Sequence, residues 1–419
     1  MNTFQDLYKW SVGSSRNDFW NAVWDEIKLI HEGTYSKPVD TNARMDSIPH
    51  WFEGVRLNFA ENILYSRGSS KGDRAAAGGK EDDRIAITEV REGGTEIKDY
   101  SWLELRRRVG LLANAMRAQG VEKGDRVAVI ASNSFDTLCV FLAITSIGGM
   151  FSSSSTDMGT KGILDRLLQI DPVYVFFDDW AIYNGKTIDL RPKIQEILDG
   201  LKPLKNFKSI VTQQRFKYFA SVAGLQKTIT MNQFLVAAQG DYTLRFERID
   251  YRDPFLVVYS SGTTGVPKCI VHSVGGVLTS SMKEGKLHRD LGPHTVQLQY
   301  TTTGWIMYMS AVLSMLSGAR AVLYDGSPFQ PDLTAFIKVI GEQRVTNLGL
   351  SPRYFHELQK NGVSPREVTD LSALKACTST GMVLKDSLFE WFYDVAFPSQ
   401  VQLANISGGT DLAGCFGME

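Results

Sequence analysis

Cysteine is scarce in these 419 residues, basic residues show no surplus, and no apolar run reaches membrane length. The four cysteines, Cys139, Cys269, Cys377 and Cys415, form no C-x-x-C pair. That excludes a zinc ribbon and a disulfide scaffold and suits small buried hydrophobes in a reducing compartment. Forty-five Lys and Arg against 46 Asp and Glu leave a net charge of −1. A chain that wraps nucleic acid or coats an anionic membrane carries a basic excess, so the expected partners are small molecules, with no nucleic acid. The longest apolar stretch, Thr137 to Phe151, is too short for a bilayer and contains Gly148 and Gly149, so no membrane span is expected. The N-terminal MNTFQDLYKW lacks the basic and apolar regions of a signal peptide, and the expected location is cytoplasmic. Apart from His272, the histidines (His31, His50, His288, His294 and His356) show no metal spacing.

What is present is the composition of a globular protein with a sizeable core, 43% hydrophobic and 22% charged, long enough for two or three domains. Residues 1–65 are rich in aromatics, among them Trp10, Phe19, Trp20, Trp24, Trp51, Phe52 and Phe59, and read as a helical segment packed onto something larger. Ser66 to Asp83, dominated by Gly, Ser, Ala and charges, reads as an exposed loop. Arg84 to Val90 then alternates with period two, the pattern of a half-buried strand. Ser101 and Glu104 form a capping box ahead of a helix that places Leu105, Val109, Leu112 and Met116 on one face and ends at Gly120. Val127–Ile130 is a short apolar run, a helix is expected over Leu138–Ile147, and Tyr174–Phe177 is a further strand. The alternation resumes at Ser209–Val211, Phe255–Tyr259, Arg320–Tyr324 and Thr346–Leu350. The fold class is therefore α/β: two lobes of mostly parallel sheet flanked by helices, with the ligand near the carboxyl ends of the strands.

Strand Phe255–Tyr259 runs straight into Ser260, Ser261, Gly262, Thr263, Thr264, Gly265, Val266, Pro267 and Lys268. Glycines admit backbone N–H groups to phosphate oxygens, hydroxyls add donors and the lysine adds positive charge, so the loop suits a polyphosphate. It is not a Walker A loop, because Pro267 precedes the lysine and Cys269 follows it.

The run from Tyr259 to Lys268 resembles the phosphate-binding signature of the AMP-forming acyl-CoA synthetases, the adenylate-forming superfamily. Thr380 to Leu384 falls where that family places a Gly-containing turn against adenine, and Ser407 to Asp411 where it has an aromatic-Gly-x-Thr-Glu motif. The likeness extends from about Trp51 to the last residue, with residues 84–419 as the AMP-binding large domain. Trp51 to Asn62, Phe151 to Ser155 and Thr301 to Trp305 are similar to segments of acetoacetyl-CoA synthetases. So is the Ser-Gly-Gly-Thr-Asp variant, which carries Gly408 where acetyl-CoA synthetases carry a bulky Trp.

The resemblance implies that ATP and Mg²⁺ are used, with coenzyme A as co-substrate, to turn acetoacetate into its thioester through an acyl-adenylate. On that basis Ser260, Ser261, Gly262, Thr263, Thr264, Gly265 and Lys268 bind the β- and γ-phosphates, and Gly381 and Met382 face adenine. Thr410 bonds the α-phosphate, Asp411 holds Mg²⁺ in place of the usual Glu, and His272, Trp305 and Gly408 form the acyl pocket. Gly408 is expected to remove a side-chain wall and admit a longer acid; His272 could equally be a core histidine. The family's ribose-binding Asp, its hinge and its small C-terminal domain with a catalytic Lys follow beyond these residues. A truncated large domain with impaired turnover is therefore expected. Two other readings stand beside this one: a non-catalytic nucleotide-binding remnant or scaffold, and a CoA ligase for another short, medium-chain or aryl acid.

Overall fold

The computed structural model describes residues 3–70, 72–215, 221–260 and 265–418. Ser261, Gly262, Thr263 and Thr264 of the phosphate loop lie outside the described residues.

Local signals build the elements much as their sequence suggests. Ser101 caps helix Trp102–Ala118, its hydroxyl accepting from the Glu104 N–H while the Glu104 carboxylate accepts from the Ser101 N–H at 2.7 Å. This satisfies two N–H groups that a helix start leaves without partners. Leu105, Val109, Leu112 and Met116 are fully buried, and Gly120 takes a left-handed turn (φ 73°) just past the helix end. The helix expected at Leu138–Ile147 spans Phe135–Ser146, capped by Ser134 and buried along nearly its whole length. Its Phe141 stacks on Phe151 with ring centroids 4.1 Å apart and on Phe59 at 5.1 Å.

Two large sheets organise the chain. One runs Thr228–Thr230, Ser209–Gln213, Tyr174–Asp178, Arg126–Ile130, Met150–Ser154, Pro254–Ser260 and Lys268–Ser273. Its members are parallel until the last, which pairs antiparallel with Pro254–Ser260 and so returns the chain from the phosphate loop. The other runs Gly414–Met418, Gln402–Gly409, Ala376–Ser379, Asn347–Leu350, Val296–Gln299, Arg320–Asp325, Ile85–Arg91 and Ile97–Ser101. Its interior is parallel and both edge strands are antiparallel. Parallel sheets need cover on both faces, which explains the apolar strands and the helices around them. Among the described residues no helix is long and apolar enough to cross a membrane.

The N-terminal aromatics join the main core. Phe19, Trp24 and Ile27 of helix Arg16–Ile27 are buried, and Trp24 stacks on Phe52 at 4.4 Å.

Two expectations change. Ile85–Arg91 is buried on both faces rather than one, because its polar residues find partners inside. Thr88 donates to Asp99 at 2.6 Å, and Glu89 accepts from the Phe135 N–H and from Arg215, both at 3.0 Å. The Ser66–Asp83 stretch is not simply an exposed loop. It forms a short strand pair, Ser66–Arg67 with Arg74–Ala75, and it buries Lys80. The Lys80 ammonium donates to the carbonyls of Asn62 and Tyr65, and burial lowers its pKa to about 7.

A buried charge cluster fastens one sheet to the other. Arg215, just past strand Ser209–Gln213, pairs with Asp325 at 2.5 Å, Glu89 at 3.0 Å and Asp178 at 3.6 Å. Three carboxylates share one guanidinium, and burial raises the Asp178 pKa to about 7.

Candidate active site

The seam between the sheets is made by the two hydroxyl-rich segments noted in the sequence. The Ser153 hydroxyl donates to the Thr303 carbonyl at 2.6 Å, and the Thr303 hydroxyl donates to the Ala131 carbonyl at 2.7 Å. Gly304 passes so near Ser155 that an added Cβ would lie 2.9 Å from its nitrogen. These contacts fix the loop after strand Val296–Gln299 and with it Trp305. The Trp305 ring lies against Gly381, whose φ of 94° favours glycine and whose would-be Cβ would sit a tight 3.1 Å from the indole.

Trp305, Thr380, Gly381, Gly408 and Thr410 line one cavity of about 470 Å³. That volume is within the range of small-molecule sites. The turn, the strand end and the tryptophan therefore come together although they are far apart in the chain. Ser260 ends its strand directly opposite Lys268, which is exposed at the start of the return strand, and Gly265 is exposed with φ 80°. These three frame the segment that lies outside the described residues.

Three expected site residues sit differently. Met382, read as an adenine contact, points outward with 61% exposure and does not line the cavity. His272, read as an acyl contact or a core histidine, is buried and likewise does not line the cavity. Its Nε2–H donates to the Thr410 carbonyl at 2.8 Å, and burial holds its pKa below the ordinary value, which favours the neutral ring. It positions Thr410 from the strand that follows the phosphate loop. Gly408 lines the cavity but leaves no spare room for a side chain. It pairs with Cys415, and an added Cβ would lie 2.4 Å from the Gly414 carbonyl oxygen. Close backbone approach therefore favours glycine there.

Asp411 is exposed beside Thr410 and has no ion pair among the described residues. Among those residues no group of three or more His, Cys, Asp and Glu could hold a metal ion. A lone carboxylate still fits Mg²⁺, which is ordinarily bound by one or two carboxylates with waters and phosphates.

Two charged residues that the sequence did not single out also line the cavity, Glu284 from helix Val274–Leu287 and Arg289 just after it. Glu284 accepts from the Cys415 backbone N–H at 3.3 Å, and burial with Glu284 nearby raises the Cys415 thiol to about 11. No motif marks either residue; only the fold turns them inward.

The profile described as AMP-binding enzyme matches residues 73–418. The chain belongs to that family. It is 36% identical over 415 residues to an acetoacetyl-CoA synthetase of Gallus gallus, covering 99% of this chain and 60% of that protein. It is 37% identical to a malonamoyl-CoA synthetase of Penicillium aethiopicum, covering 100% of this chain and 58% of that protein. The solved acetoacetyl-CoA synthetase of Streptomyces lividans superposes with a TM-score of 0.87 at 32% identity, covering 100% of this chain and 61% of that one. The chain thus spans about 60% of the length of the curated relatives it matches.

Proposed function

We propose that these residues form the ATP- and acid-binding part of an AMP-forming acid–CoA ligase that activates acetoacetate. The observation that carries this reading is the cavity shared by the Thr380–Gly381 turn, Thr410 and Trp305. It joins the motifs expected to hold adenine, α-phosphate and acid. The relatives' names add chemical support: acetoacetate and malonamate both carry a carbonyl at C3, with a methyl group on one and an amide nitrogen on the other. An acid of that shape is the substrate class. Residues 1–65 would serve as a packing segment and 84–419 as the adenylation domain. Free cysteines throughout suit a cytoplasmic setting.

Ser260, Ser261, Thr263, Thr264 and Lys268 would hold the β- and γ-phosphates, with Gly262 and Gly265 giving the backbone access to them. The Thr410 hydroxyl would donate to an α-phosphate oxygen, held in place by His272. Asp411 would hold Mg²⁺, which when bound neutralises phosphate charge. A carboxylate oxygen of the acid bonds to the α-phosphorus as the bond to pyrophosphate breaks. The coenzyme A sulfur then bonds to the acyl carbon as AMP leaves, and the thiol proton passes to solvent. Both halves depend on alignment and charge neutralisation more than on proton transfer.

ATP–pyrophosphate exchange tests the reading. Slow exchange that requires acetoacetate, and is slower still with acetate or benzoate, is expected. ATP binding without exchange for any acid would instead indicate a nucleotide-binding scaffold.

A further inference from the structure

Arg289 makes no direct ion pair among the described residues, although the Glu284 charge acts on it from nearby. Its Nη2 donates to the Gln297 side chain at 2.8 Å, and its Nη1 reaches the Ser310 hydroxyl only at 3.5 Å. Its Nε is buried with no partner among the described residues. A guanidinium has five N–H donors, so most of its capacity is unused. Buried donors left without acceptors are costly, and native proteins seldom keep them without a purpose. The wall around it mixes apolar Trp305, Met309 and Leu313 with the hydroxyls of Ser281 and Ser310. Glu284 faces that cavity too, but it makes no ion pair with Arg289 and is engaged by the Cys415 backbone. Its charge offsets that of the guanidinium, so the pair suits a neutral carbonyl better than a second carboxylate.

We propose that Arg289 is a specificity residue of the acid site, its guanidinium donating a hydrogen bond to the C3 carbonyl oxygen of the bound acid. This rests on the adenylation reading above. The acid's own carboxylate is consumed in the bond to phosphorus, so the C3 oxygen is the acceptor left to meet the cation. An acid saturated at C3, such as butyrate, leaves the guanidinium unpartnered. A site built to donate to a polar group rejects analogues that lack it far more strongly than an apolar pocket rejects a missing methylene.

The test uses two stable adenylate mimics, 5′-O-(N-acylsulfamoyl)adenosines carrying acetoacetyl or butyryl groups, titrated into this chain. The acetoacetyl mimic should bind the unsubstituted protein about ten- to a hundredfold tighter than the butyryl mimic, the range for a hydrogen bond to a charged donor. Arg289→Met should bring the two affinities together, with the butyryl mimic binding tighter than in the unsubstituted protein because no donor is left unpartnered, and an unchanged circular dichroism spectrum reports an intact fold. Equal affinities in the unsubstituted protein would overturn the role of Arg289 and leave the adenylation reading standing. An unchanged preference in Arg289→Met would do the same. Failure of both mimics to bind would overturn the adenylation reading and this inference with it.

Discussion

His272 offers the sharpest perturbation of the site from outside the cavity lining, acting through Thr410. It links strand Lys268–Ser273 to the Thr410 peptide through one part-buried hydrogen bond of 2.8 Å. His272→Ala removes the donor and leaves the Thr410 carbonyl without it, at a cost of about 1–3 kcal/mol. Each 1.4 kcal/mol expressed at Thr410 corresponds to about tenfold in a binding constant. Calorimetric titration with ATP should therefore show roughly tenfold weaker binding, and urea denaturation a lower midpoint. His272→Gln keeps an N–H donor and should recover part of both. The pH dependence has a definite sign. Burial depresses the folded pKa below the ordinary 6.5, so the unfolded chain takes up the proton first as pH falls. The contribution of His272 is complete above about pH 6.5 and is lost as pH drops through the folded value, and His272→Gln should abolish this acid loss. An alanine variant with unchanged ATP affinity and midpoint would refute the positioning role.

Lys268→Ala should weaken ATP binding about tenfold or more, since it removes a charged donor to phosphate, while the denaturation midpoint stays put. Gly408→Ala pushes a Cβ to within 2.4 Å of the Gly414 carbonyl oxygen, so strand Gln402–Gly409 must part from Gly414–Met418. A stability loss of about 1–3 kcal/mol and equally reduced exchange for short and long acids are expected; loss confined to longer acids would restore the pocket-size reading. Asp178 has a folded pKa of about 7 against an ordinary 3.8, so the folded state holds the proton more tightly and stability falls as pH rises between those values. Asp178→Asn should flatten that decline in denaturation midpoints measured from pH 4 to 8.

The elements fixed by neighbours in sequence were the legible ones. The capping box of Ser101 and Glu104 and the apolar runs Val127–Ile130 and Tyr174–Phe177, within the observed strands Arg126–Ile130 and Tyr174–Asp178, needed no distant partner to be read. Alternation misled at Ile85–Arg91, where burial of Glu89 depends on Arg215, a residue 126 positions away. Lys80 was hidden in the same way, since its composition reads as loop and only the carbonyls of Asn62 and Tyr65 account for its burial. In the site, glycine-bearing motifs led to Gly381, Gly408 and Thr410, yet the reason for Gly408 emerged only from the strand opposite. Arg289 and Glu284 could not be told from surface charges, because a helix end gives no sign in sequence of which way it faces.

On the proposed function, the cavity lined by Trp305 holds an acyl-adenylate. A crystal structure of this chain grown with the acetoacetyl sulfamoyladenosine tests it most directly. Adenine is expected against the Thr380–Gly381 turn, the sulfamoyl group beside the Thr410 hydroxyl, and the C3 oxygen within hydrogen-bonding distance of Arg289. Ligand bound elsewhere on the protein, or bound with its adenine away from that turn, would contradict it.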